Sequence, residues 1–212
     1  RLKGWPGTCL ERLEVGTLTK DQDLQGLAEE LHAAIAAAAG GRQPAPERRF
    51  HSHSEYVSYG ISVSAFDEVL RRFRPRLLGL ELEQRTRLAA SLLSTGLGEL
   101  GHVGIHLFAL SVKDLHPGHL AVLDQLMDDF HSWTHADHLC SEVLQPLLRR
   151  YPGETLSWME RWSDSPNKLK RRCAVVPFTR KIGESGQFTA EALRLCAKLA
   201  WDREDVVRKG VG

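Results

Sequence analysis

Apolar residues recur at three- and four-residue intervals through most of the chain, and this spacing predicts α-helices. No alternation of apolar and polar positions lasts long enough to predict a strand, and Val, Ile and Thr are sparse. Glycine- and proline-containing breaks divide the pattern into candidate helices. Their approximate ranges are 21–39, 46–57, 63–73, 81–95, 98–113, 117–131, 133–150, 153–163, 167–181, 187–200 and 203 onward.

Short connections between helices of this length predict antiparallel helical pairs packed side by side. Several helices look like loose copies of one another, which favours an all-α solenoid with one long concave surface. A compact irregular bundle remains the alternative, because no strict repeat is present. We expect a single domain over 1–212 with a surface loop at about 40–46. Since the first residue is Arg1 rather than Met, we expect the natural amino terminus to lie further upstream.

Composition excludes some classes of protein and leaves others open. Hydrophobic residues make up 42% and charged residues 26%, as in an ordinary soluble domain. No apolar run is long enough to span a bilayer, and the four cysteines are widely spaced, so we expect a cytoplasmic protein with reduced thiols. Residues 140–212 hold 14 Lys and Arg against 9 Asp and Glu, whereas residues 1–139 hold 14 against 18. This asymmetry predicts a basic groove for a polyanion, although uneven solvated charge explains it equally well.

Motifs for metals and nucleotides are weak in this sequence. Histidines stand four residues apart at His102 and His106 and at His131 and His135, a spacing that can hold zinc on a helix. Neither pair carries the glutamate of an HExxH motif or a third ligand at a diagnostic spacing, so no metal is expected. Glycine-rich phosphate loops and serine-hydrolase elbows are also missing, and we expect no cofactor.

Two segments carry the most suggestive chemistry. Trp133 and Asp137 are four residues apart, so a helix would place them on one face. An aromatic ring beside a carboxylate suits a cation, including the cationic sugar that forms when a glycosidic bond breaks. About thirty-five residues later, Arg171 and Arg172 could hold a phosphate. From these residues alone, the sequence predicts a helical protein that binds an anion.

The order of these motifs resembles the AlkD-type DNA alkylation repair glycosylases, which are built of HEAT-like helical repeats. The resemblance runs across most of the chain in four segments. They are Tyr59-Gly60-Ile61-Ser62, the Trp-x-x-x-Asp of Trp133 and Asp137, the run from Trp162 through Asn167 to Arg171-Arg172-Cys173-Ala174-Val175, and the closing Asp205-Val206-Val207-Arg208-Lys209-Gly210-Val211-Gly212.

The resemblance implies a function and roles for individual residues. It implies base excision repair, with Trp133, Asp137 and Arg172 as the catalytic residues of a DNA glycosylase. Cationic N3- or N7-alkylated purines, bulky adducts included, would be excised from double-stranded DNA without enclosing the base in a pocket. We expect a monomer that acts on nucleoid DNA, away from membranes. The predicted DNA-binding residues are Lys168, Lys170, Arg171, Arg208, Lys209 and Phe50.

The chain departs from the family pattern at two places. The family has a tryptophan after its closing Arg-Lys-x-x-Gly, and this sequence ends one residue short of it, at Gly212. We therefore expect the domain to be truncated at its carboxyl end as well. The family also has a tyrosine on its second helix, where this chain offers the ring of Phe50 without a hydroxyl. The alternatives are a non-catalytic HEAT-like DNA-binding relative and a protein-interaction scaffold.

Overall fold

The computed structural model describes residues 14–47 and 56–212, and these residues are mainly helical. The α-helices are α1 (Glu14–Ala38), α2 (Val63–Leu78), α3 (Leu82–Ser94), α4 (Gly98–Leu110), α5 (Leu120–Leu126), α6 (Trp133–Leu139), α7 (Gln145–Arg150), α8 (Pro152–Ser163), α9 (Lys168–Cys173), α10 (Lys181–Ser185), α11 (Thr189–Leu199) and α12 (Asp205–Val211). Short 3₁₀ turns lie at Pro117–His119, Met127–Asp129 and Val176–Phe178, and a π-helical segment at Cys140–Leu144. Two short strands, β1 (Ala45–Pro46) and β2 (Val57–Ser58), pair antiparallel.

The helices stack as pairs in two layers. Helix α1 packs on α2, α3 on α4, α8 on α9 and α11 on α12. The second helix of each pair, together with α6, forms an unbroken row in which α2, α4, α6, α9 and α12 each contact the next; we call this row the B layer. The A layer comprises α1, α3, α8 and α11. The prediction of an all-α, solenoid-like fold is confirmed, and the B layer carries the residues that the sequence singled out.

Local sequence explains why the helices of the B layer begin where they do. The hydroxyl oxygens of Ser62 and Ser132 accept hydrogen bonds from the backbone N–H groups near the starts of α2 and α6, at 3.2 and 3.1 Å. The Asn167 side chain does the same at the start of α9, at 2.9 Å. Each cap satisfies a backbone donor that has no partner within its own helix. These caps fix the first turns, which carry Trp133 and Lys168.

One contiguous apolar core runs through the stack from Leu24 to Val207. Helix α2 shows how the layers reach it, because Val69, Phe73 and Leu77 recur every four residues and are all buried. No helix in the described ranges is long and apolar enough to cross a membrane.

The structure corrects three of the predicted elements. The predicted helix at 167–181 ends at Cys173, and a 3₁₀ turn at Val176–Phe178 separates α9 from α10, because Pro177 lacks the N–H that a continuous helix would need. The predicted helix at 46–57 is wrong at both ends, where Pro46 and Val57 belong to the paired strands; residues 48–55 lie outside the described ranges. Proline lacks the N–H that a helix interior needs, so the Pro44 and Pro46 pair favours extended chain there. The predicted helix at 63–73 continues to Leu78 and passes through Pro75. Burial of Leu77 against the core outweighs the hydrogen bond that Pro75 cannot make.

Close packing within the B layer depends on a glycine of α4. A Cβ atom at Gly101 would lie 2.6 Å from Cε1 and 2.7 Å from Nε2 of the His135 ring on α6. That ring is fully buried, and its Nε2–H donates to the carbonyl oxygen of Gly98 at 3.0 Å, so it has little room to move.

We therefore expect Gly101→Ala to lower the free energy of unfolding by about 1–3 kcal/mol, because overpacking outweighs the better helix propensity of alanine. Urea unfolding followed by circular dichroism measures this. The matched control is Gly153→Ala in α8, where no atom lies within 4 Å of the added methyl group. That change should be neutral or stabilising by about 0.4–1 kcal/mol. Equal stability of both variants would contradict the packing argument.

Candidate functional site

Trp133, Asp137 and Arg172 meet on two neighbouring helices of the B layer. Arg172 of α9 donates from Nε to Oδ1 of Asp137 at 2.7 Å and from Nη2 to Oδ2 at 2.9 Å. Its guanidinium carbon lies 5.6 Å from the centroid of the Trp133 ring, within the range of a cation–π contact. The sequence placed the ring and carboxylate on one helical face; the structure adds that the arginine contacts both.

The cluster holds Asp137 in one orientation while keeping it accessible. A paired, two-hydrogen-bond contact fixes the plane of a carboxylate as well as its position. The side chain of Arg172 is 9% exposed, whereas that of Asp137 is 32% exposed. Each carboxylate oxygen accepts one bond from Arg172 and keeps lone-pair capacity toward solvent. An oriented, solvent-facing anion beside an aromatic ring can stabilise a positive charge and hold a water molecule.

Helix α12 closes the cluster from the other side. The Nη1 group of Arg172 donates to the backbone oxygen of Val206 at 2.5 Å. A Cβ at Gly210 would come within 3.3 Å of the Arg172 side chain, so glycine lets α12 approach closely. Sequence reasoning read this closing segment for its charge and missed its contact with the arginine. The signal was the glycine itself, since a glycine inside a helix often marks a close approach.

Lys170 and Arg171 point into the protein and form ion pairs there. Lys170 lies 3.0 Å from Asp124 and 2.9 Å from Asp128. Burial by itself lowers the pKa of Lys170, but the hydrogen bonds to the two carboxylates outweigh it, so the net shift is upward. Arg171 donates to both oxygens of Asp202 at 2.6 and 3.0 Å.

The side chains of Lys170 and Arg171 are only 9% and 8% exposed. Arg171 also donates to the carbonyl oxygens of Ser165 and Pro166, at 2.9 and 3.0 Å. The structure therefore uses Lys170 and Arg171 to join adjacent loops, and in this arrangement neither presents its charge to a duplex.

The remaining predicted DNA-binding residues differ in their surroundings. Lys168 is half-buried at the first residue of α9. Arg208 is 41% exposed and donates to the backbone oxygen of Asp202 at 2.6 Å, and Lys209 is 73% exposed with Nζ 2.8 Å from Asp205. The prediction for Phe50 falls outside the described residues.

One histidine of each predicted pair, His102 and His135, belongs to a ring cluster between α4 and α6, with ring centroids 4.6 Å apart. His102 and His138 lie with their Nδ1 atoms 3.0 Å apart, a hydrogen bond that needs one nitrogen protonated and the other not. Burial, reinforced by nearby His106, lowers the pKa of His138 to about 4. Within the described residues, no group of three or more His, Cys, Asp or Glu side chains could hold a metal ion.

The Tyr59-Gly60 motif has a structural explanation. Its backbone N–H groups donate to the two carboxylate oxygens of Glu99 at 3.2 and 3.0 Å. Gly60 has a φ of +64°, which glycine adopts without strain. Glu99 is 6% exposed on α4, so the motif ties the chain ahead of α2 to the B layer.

The stacked helical pairs define this chain as an all-α protein. Its candidate site is an arginine–aspartate ion pair beside a tryptophan ring. A family model for DNA alkylation repair enzymes matches residues 22–212, which include all three residues of the site. The chain belongs to that family, as the resemblance predicted. A comparison with curated proteins finds no match.

Proposed function

We propose that this protein is a DNA glycosylase that excises N3- and N7-alkylated purines from duplex DNA by hydrolysing the N-glycosidic bond. The observation that carries the proposal is the half-exposed carboxylate of Asp137, held by Arg172 beside the ring of Trp133. Membership of the DNA alkylation repair family supports it.

The chemistry of an alkylated purine needs few catalytic groups, and Asp137, Trp133 and Arg172 match that need. An N3- or N7-alkylated purine already carries a positive charge, so it leaves without needing a proton. As the bond between C1′ and N9 breaks, its electron pair neutralises the base and positive charge develops on the sugar. Water then adds to C1′ and loses a proton. The reaction therefore requires stabilisation of a cation and a positioned water, and no general acid.

Each residue of the cluster has a role in this reaction. Asp137 would stabilise the cationic sugar and orient or deprotonate the water. Trp133 would lay its face against the sugar. Arg172 would keep the carboxylate oriented. Three of its five N–H donors are engaged within the protein, two with Asp137 and one with the backbone oxygen of Val206.

Half-exposed placement of Trp133 and Asp137 supports action on a sugar that approaches from outside the fold. We propose that the base is not enclosed in a pocket and that bulky adducts are accepted as well as methyl groups. Lys168, Arg208 and Lys209 would contact the DNA backbone, since such contacts make up half or more of protein–DNA hydrogen bonds. We expect a monomer on the duplex.

The test is base release by the full-length protein from duplexes that contain one defined lesion. N7-methylguanine and N3-methyladenine should be released, while guanine and the uncharged O6-methylguanine should not, because only the first two leave as neutral bases. A bulky N7 adduct in the same sequence tests the range of lesions. Tight binding without release of any base would instead indicate a non-catalytic DNA-binding protein.

A further inference from the structure

Helix α6, the π-helical segment and α7 form one continuous helical rod from Trp133 to Arg150, which has an irregular turn in its middle. Its π-helical segment, Cys140–Leu144, closes with a hydrogen bond from the N–H of Gln145 to the carbonyl oxygen of Cys140, five residues back. One such turn accommodates an extra residue relative to an α-helix. The twelve residue-to-residue steps from Asp137 to Arg149 therefore advance about as far around the axis as eleven steps of an α-helix, which at about 3.6 residues per turn is close to three whole turns. Asp137 and Arg149 consequently lie on the same face.

Contacts along the rod agree with this alignment. Gln145 lies on the same face between them, and its Nε2 donates to the carbonyl oxygens of Pro177 and Thr179 at 3.1 and 3.0 Å. Asp137 is paired with Arg172 of α9, which directly precedes the segment that Gln145 contacts. This face of the rod thus packs against α9 and the residues that come after α9 in the chain. Arg149 lies on the same face, one turn beyond Gln145.

Arg149 is exposed and pairs with no acidic side chain in the ranges that the structure describes. Its neighbour Arg150 is used differently, because its guanidinium donates to the carbonyl oxygens of Val112, Lys113 and Leu115. Of these two adjacent arginines, Arg150 therefore holds a loop in place, whereas Arg149 presents its charge to solvent.

A second pair of exposed cations follows the segment that Gln145 holds. Arg180 and Lys181 are both exposed, and neither forms an ion pair with another described residue. Arg180 has φ +55° and ψ −130°, a strained conformation for a residue with a side chain. Glycine would adopt this conformation without strain, so the charged side chain at position 180 comes with a cost in conformational free energy.

We propose that Arg149, Arg180 and Lys181 form a second phosphate-binding strip for duplex DNA, at the far end of the rod from Asp137. This rests on the proposed function, in which the duplex lies across the B layer. At about 1.5 Å per residue, Arg149 is roughly 16–18 Å from Asp137 along the rod. That exceeds the width of either DNA groove, about 6 and 12 Å, so the strip contacts phosphates remote from the lesion. It adds affinity without touching the reacting atoms.

The experiment measures binding of the full-length protein to an undamaged 25-base-pair duplex by fluorescence anisotropy, at several salt concentrations between 50 and 200 mM. Each phosphate contact contributes about 0.9 to the slope of log K against log salt. For Arg149→Ala, the ratio of Kd values at 200 and 50 mM salt should fall by about 3.5-fold, and for the Arg149→Ala, Lys181→Ala double variant by about 12-fold. Arg180→Gly should weaken binding while raising Tm, because it removes charge and strain together.

The matched control is Arg194→Ala, which removes the same charge from an exposed position on α11 in the A layer. It should leave the salt slope unchanged. Slopes that equal the wild-type slope in the Arg149 and Lys181 variants would overturn the strip, even if base release persists. A reduced slope in a protein that releases no base would retain the strip and refute the glycosylase. At saturating enzyme, the strip variants should release N7-methylguanine at the wild-type rate.

Discussion

Asp137→Asn should slow the release of N7-methylguanine from duplex DNA by at least about 10²–10³-fold, the usual effect of losing one electrostatic contact to a transition state. The amide keeps the size of the side chain but removes the negative charge that would face the cationic sugar. Binding to the duplex should persist, because the carboxylate repels phosphate rather than attracting it. Single-turnover kinetics on a duplex with one lesion measure the effect.

The control for this prediction is Asp129→Asn. Asp129 is exposed in the turn shortly before α6, so the substitution removes the same charge close to the site and should leave the rate unchanged. Since Asp137→Asn also removes the ion-pair partner of a buried arginine, Tm must be measured on the same preparation. A folded Asp137→Asn protein with the wild-type rate would refute the assigned mechanism.

Arg171→Ala should lower the free energy of unfolding by about 3–5 kcal/mol, the usual cost of leaving one member of a buried ion pair without its partner. Arg171 and Asp202 have side chains that are each 8% exposed, and the guanidinium also holds the carbonyl oxygens of Ser165 and Pro166. Urea unfolding at pH 7 measures the change. Arg203→Ala is the control, because its side chain is 79% exposed and 3.8 Å from Glu204, and it should cost under about 1 kcal/mol.

The same pair gives a pH dependence with a definite sign. The hydrogen bonds from Arg171 lower the pKa of Asp202 below its ordinary value of 3.8. A lowered carboxylate pKa stabilises the fold above the ordinary value, and that stability is lost as the pH falls toward the folded-state pKa. Wild-type protein should therefore lose stability below about pH 4 more steeply than Arg171→Ala. Parallel curves for the two proteins would show that the pair contributes nothing.

The basic run from Lys168 to Arg172 shows how far local sequence could predict the site. The family resemblance singled out Arg172, and the structure brings it to Asp137 and Trp133. The same run could not show that Lys170 and Arg171 point inward. Their partners Asp124 and Asp202 lie tens of residues away in the sequence, and only packing of the helical pairs brings them together.

Sequence by itself determined the all-α class, most of the helices and the family, because three- and four-residue apolar spacing and ordered motifs are local properties of the chain. Only the tertiary structure decided which charges are buried in ion pairs and which face solvent. It also aligned Arg149 with Asp137, through a π-helical turn that apolar spacing does not reveal. The physical reason is that burial and ion pairing depend on which helices become neighbours, and that is set by the whole core rather than by any one segment.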